Sequence, residues 1–96
     1  MHAVVRTYSG KEAKELFDVL EKQKAEVEKL MRSVKGFVSY ALVRTTDGGF
    51  SVSVAQDKAG ADESIQKARD WIKQNAANVG ANPPAVSEGS VILQVR

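Results

Sequence analysis

Two arginines and both tyrosines of the chain occur where strand-like stretches would gather them onto one surface. Arg6 and Tyr8 alternate with Val4 in Ala3-Val4-Val5-Arg6-Thr7-Tyr8, and Tyr40 and Arg44 alternate with Val38 and Leu42 in the run Phe37 to Thr45. Side chains two apart on a strand share a face. If both strands show these sets to the same side, that side offers two phenols and two guanidinium groups in an apolar setting. A guanidinium pairs with oxyanions and a phenol donates a hydrogen bond, so the chemistry is recognition of a planar anionic or phenolic ligand. The same four side chains would also suit the polar rim of a subunit contact, where Tyr and Arg are enriched. Trp71, beside Ala68 and Ile72, can wall such a pocket or widen the core. Arg6, Tyr8, Tyr40, Arg44 and Trp71 are therefore the candidate ligand-binding residues, and no catalytic residue is assigned.

The remaining reactive groups offer less. There are no cysteines, which excludes disulfides, thiolate zinc sites and cysteine nucleophiles. The single histidine, His2, stands at the mouth of the first strand, where a solvated surface role is the plainer reading. Lys11/Glu15, Lys14/Asp18 and Glu28/Arg32 are i,i+4 pairs of a solvated helix face. Gln56 and Asp57 read as a strand-to-helix junction. No nucleophile–base arrangement or metal-ligand cluster emerges, and no cofactor is implied.

The elements that must position the candidates follow from periodicity. Ala3 to Tyr8 is rich in β-branched and aromatic residues and stops at Ser9-Gly10, which predicts a strand. From Lys11 the period changes: Ala13, Leu16, Phe17, Leu20, Val27, Leu30, Met31 and Val34 recur at helical spacing, predicting one amphipathic helix of about six turns that Gly36 ends. Phe37 to Thr45 is a strand, Thr46-Asp47-Gly48-Gly49 a hairpin turn on Asp-Gly, and Phe50 to Gln56 the returning strand. Asp62 can cap a second helix with Ile65, Ala68, Ile72, Ala76 and Val79 inward and Gly80 at its end. Asn82-Pro83-Pro84 is a loop, and Ser90 to Val95 a closing strand. The order βαββαβ, with right-handed crossovers, predicts an α+β ferredoxin-like fold: a four-stranded antiparallel sheet with two helices on one face, spanning residues 1–96 as one domain.

Helices cover one side of such a sheet, so the other should turn polar. The third strand alternates cleanly, Phe50, Val52 and Val54 against Ser51, Ser53 and Ala55. The other three carry apolar residues on both faces, as in Val4-Val5, Phe37/Ala41/Val43 against Val38/Tyr40/Leu42, and Val91-Ile92-Leu93. A second copy packed sheet to sheet is the simplest cover, which predicts a homodimer.

Composition narrows the partners. At 96 residues the chain buries only about 60–65% of its unfolded surface, so a partner subunit would enlarge a thin core. A net charge of +2, from 14 basic and 12 acidic side chains, is too balanced for nucleic acid or anionic membranes. No apolar run reaches the roughly 20 residues of a membrane span, and no signal peptide opens the sequence, which points to the cytoplasm. An RNA-recognition module would need aromatics on the central strands, where Val4, Val52 and Val54 stand. An acylphosphatase would need a glycine-rich anion loop, and Ser9-Gly10-Lys11-Glu12 is too short.

Val34-Lys35-Gly36-Phe37-Val38-Ser39-Tyr40 resembles the helix-to-strand junction of the antibiotic-biosynthesis-monooxygenase-like domains of the dimeric α/β-barrel superfamily, with Lys35 where a proline is common. The Phe50–Asp57 strand leading into a helix with Trp71-Ile72, and the Asn82-Pro83-Pro84 loop, resemble that family too. The resemblance implies a small dimer that binds an aromatic ligand or acts as a cofactor-independent oxygenase-like enzyme. A non-catalytic dimerisation or interaction module is the alternative. The haem-degrading branch carries a tryptophan near the end of its third strand and a histidine on its second helix. Here those places hold Ala55 and, from Asp62 to Val79, no histidine, which disfavours haem degradation.

Overall fold

A computed structural model describes residues 1–95. Strand β1 (His2–Ser9) leads into helices α1 (Lys11–Lys22) and α2 (Lys24–Arg32), then the hairpin β2 (Phe37–Thr45) and β3 (Gly48–Ala55), helix α3 (Lys58–Asn75), a 3-10 turn at Ala77–Val79 and strand β4 (Ala85–Ser90). The sheet order is β2-β3-β1-β4 with every neighbouring pair antiparallel. This is the ferredoxin-like architecture the sequence predicts, with the first helix in two pieces.

The break falls at Gln23 (φ −107°, ψ 23°), inside the polar run Glu21-Lys22-Gln23-Lys24. No apolar side chain there ties the turn to the sheet, so α2 can swing away while the backbone ladder continues through Gln23 N–H to the Val19 carbonyl at 3.0 Å. Helix α2 ends at Arg32, short of Gly36. The cap of α3 is Asp57, whose carboxylate accepts from the Gly60 N–H at 2.9 Å, a turn earlier than the Asp62 expected. The hairpin turns through Thr46-Asp47, closed by Thr45 opposite Gly48.

The last strand lies earlier than its predicted place. β4 is Ala85–Ser90, because its register on β1 runs from Thr7↔Ala85 to His2↔Ser90 and β1 then ends. Past Ser90 there is no strand left to pair with, and Ile92 and Leu93 are 97% and 78% exposed.

Leu16, Phe17 and Leu20 of α1, Val27 and Met31 of α2, and Ala68 and Trp71 of α3 form the core with Tyr8. Burying each of the larger side chains contributes about 1.5–3 kcal/mol. The Phe17 ring meets Tyr8 edge-on at 5.9 Å and lies over Gly49, where an added Cβ would run into the ring.

The faces of β3 are the reverse of the sequence expectation. Ser51 and Ser53 point to the helices and are buried, while Phe50 and Val52 lie on the open side with Val5, Ala41 and Val43 as register neighbours. Close helix approach over Gly49 and the small serines requires this side inward; Phe50 and Val52 would hold the helices away. The open side therefore presents a more apolar surface than alternation alone suggests.

Candidate functional site

With Ser51 and Ser53 turned inward, the helix-facing side of the sheet becomes polar at its centre. On β1 the inward set is Val4, Arg6 and Tyr8; on β2 it includes Tyr40, Leu42 and Arg44. Arg6 is 4% exposed, and its Nε donates to Ser51 Oγ at 3.2 Å. Buried polar side-chain atoms among the described residues all have hydrogen-bond partners. What Arg6 lacks is a counter-charge: no carboxylate among the described residues lies within ion-pair distance of it.

The two phenols feel that cation. Burial pushes the Tyr8 hydroxyl above the usual tyrosine value, and the charges of Arg6 and then Arg69 partly oppose the rise. Burial likewise raises Tyr40, opposed by Arg6 and by a hydrogen bond with Ser51. Both hydroxyls are thus protonated at neutral pH and can donate to a ligand oxygen.

Arg6, Tyr8, Tyr40 and Trp71 line one small cavity of about 20 Å³ between helices and sheet, enough for one water molecule. Arg6, Tyr8 and Ile72 also line an adjoining cleft of about 260 Å³, walled further by Arg69, Pro83 and Pro84. A third depression of about 280 Å³ lies on the far side of Tyr40, along α2 and β2, beside Lys24 and Arg32. Trp71 is fixed in place by its indole N–H, which donates to Glu26 Oε1 at 2.8 Å and so ties α3 to α2.

Four of the five sequence candidates thus meet at one cavity. Arg44 does not: its guanidinium reaches outward to Asp18 Oδ1 and Glu21 Oε1, each at 3.1 Å, and pins β2 to α1. His2 bonds Glu88 across the β1–β4 pair at 2.8 Å, at the opposite end of β1 from Tyr8. Sequence reasoning missed Arg69 and Ser51. The signal for Arg69 was present, since it follows Ile65 by four residues and precedes Ile72 by three, on one helix face. Ser51 carried no such signal, because a serine on an alternating strand reads as the wet face.

No family model matches the chain, and no curated protein does. Among solved structures, a protein of unknown function from Nitrosomonas europaea superposes with a TM-score of 0.75 at 16% identity, over 99% of this chain and 92% of that one. The haem-degrader MhuD of Mycobacterium tuberculosis, with two haems bound, gives 0.68 at 19% identity over 100% of both chains. A monooxygenase of Streptomyces coelicolor, in complex with nanaomycin D, gives 0.63 at 17% identity, over 99% of this chain and 90% of that one. Dimeric ferredoxin-like proteins from uncultured marine organisms match as well. These likenesses agree with the resemblance carried by Val34–Tyr40: the chain has the ferredoxin-like fold of the antibiotic-biosynthesis-monooxygenase-like domains.

Proposed function

We propose that this protein is a homodimeric domain that binds a small aromatic ligand in the cleft floored by Arg6 and Tyr8, with cofactor-independent, oxygenase-like chemistry as its reaction class. The observation that carries the reading is that Arg6 and Tyr8, which meet Tyr40 and Trp71 at the small inner cavity, also line the adjoining cleft, whose remaining walls are mostly apolar. Donors aimed into a dry site favour the anion of a phenol over the phenol itself, and an electron-rich anion supplies its own reactivity toward oxygen. The chain's part is then to bind, to orient and to hold the protonated Tyr8 hydroxyl beside the developing charge. Haem is a poor fit: the single histidine is engaged with Glu88 at the far end of β1 from the cleft.

The dimer is supported by the open face of the sheet, where Val5, Ala41, Val43, Phe50 and Val52 have no layer over them, and by the dimeric ferredoxin-like structures among the matches. Thermal shift against a panel of naphthols and naphthoquinones tests the pocket. Wild type and Arg44→Ala, whose side chain lies outside the cavity, should be stabilised alike, and Tyr8→Phe should be stabilised less. No stabilisation across the panel would leave the non-catalytic dimerisation module as the better account.

A further inference from the structure

The buried guanidinium of Arg6 and the exposed one of Arg69 line the same cleft, and neither has a carboxylate partner among the described residues. An uncompensated charge held away from water is costly, and an incoming anion relieves that cost. Both cations act on the same hydroxyl, Tyr8, which places their fields at one end of the cleft. The other walls are mostly apolar, Leu16, Ile65, Ile72, Pro83 and Pro84 among them, with the neutral amide of Asn82 beside the prolines. We infer that the ligand is a small organic acid, one or two rings bearing a carboxylate or equivalent oxyanion, whose anionic end sits between Arg6 and Arg69 with the Tyr8 hydroxyl donating to it, and whose ring lies between Ile72 and the Pro83-Pro84 segment.

This deepens the proposed aromatic-ligand reading and rests on it. It assigns to Arg69, at the mouth, a specificity role distinct from shape. A guanidinium is the side chain suited to this task because its fork matches a carboxylate in two parallel bonds. The partition between the two cations also follows from depth. Arg6 is fixed by the sheet and by Ser51, so it supplies a preformed anchor; Arg69 is free to close on the ligand from the helix side.

The test compares naphthalene-2-carboxylate with its neutral isostere naphthalene-2-carboxamide, using Trp71 fluorescence and calorimetry on the full chain. Wild type should bind the acid about tenfold or more tighter than the amide, with the preference shrinking as salt is raised. Arg69→Gln, an exposed substitution that leaves the core intact, should lose most of that preference while still binding the amide, and Arg69→Lys should keep part of it. Equal affinity for acid and amide in wild type would overturn the inference while leaving an aromatic pocket standing. Binding of neither compound would overturn both. An acid preference that survives Arg69→Gln unchanged would also sink it, because Arg69 would then have no part in the anchor.

Discussion

Arg6 and Ser51 stand opposite one another on the β1–β3 ladder, Nε to Oγ at 3.2 Å, on the side of the sheet that the helices cover. A cation occupies the interior of this 96-residue chain's fold with a neutral hydroxyl for company. Such an arrangement costs stability, and the cleft it opens onto is where that cost can be recovered by a ligand.

If the cation is kept for binding, removing it should help the empty fold. The double variant Arg6→Met, Ser51→Ala is expected to unfold at higher urea than wild type, by about 1–2 kcal/mol without ligand, while losing the ligand-induced rise in Tm. A double variant less stable than wild type would mean that Arg6 is a structural group.

Helix α3 should resist a substitution that helix propensity favours. Gly60 faces the sheet so closely that an added Cβ would meet the Lys35 carbonyl at 2.5 Å and Ala55 Cβ at 2.9 Å. Gly60→Ala should therefore destabilise by about 1–3 kcal/mol, although alanine is preferred by about 1 kcal/mol in an open helix. Gly89→Ala on β4, where nothing lies within 4 Å, is the control. Urea midpoints of the two variants check the contrast.

Tyr8 and Tyr40 predict a particular alkaline behaviour. Burial raises both hydroxyls in the folded state above the 10.0 of an unfolded chain, so in that window the folded state holds protons the unfolded state has released. Stability should thus be constant below pH 10 on their account and fall as pH rises beyond it. The variant Tyr8→Phe, Tyr40→Phe should show a shallower loss between pH 9.5 and 11, measured as urea midpoints against wild type; equal slopes would contradict the burial of these groups.

The open face of the sheet can be tested at its middle. Val52 lies between Val5 and Ala41 in register, so Val52→Lys puts a charge at the centre of the apolar surface. Light scattering at micromolar concentration should change from a two-chain to a one-chain mass, with the far-UV spectrum retained. A variant that stayed dimeric would move the interface elsewhere, the outer edges of β2 and β4 being the next surfaces to examine.

The order of elements was legible because each segment's apolar period matches the layer it packs on. Ala13, Leu16, Phe17 and Leu20 can be buried together only as a helix, and Val4, Arg6 and Tyr8 can share a face only as a strand. The same alternation put Arg6, Tyr8 and Tyr40 on one side of the sheet, where they line a cavity with Trp71. Alternation sorts a strand into two sets without saying which set faces in. On β3 that choice fell to the smaller serines, since Phe17 must lie directly over Gly49, and so the apolar set was left outside.

Element types, their order and an excess of apolar surface for one sheet face were all readable from the residues alone, because each is a property of local spacing and composition. It took the assembled fold to bury Arg6 without a counter-charge among the described residues, to spend Arg44 on Asp18 and Glu21, to stop β4 where β1 begins and to bring Arg69 to the cleft. Those facts depend on which residues distant in the chain come to share a space, and a charge is paired or unpaired only by what the fold brings next to it.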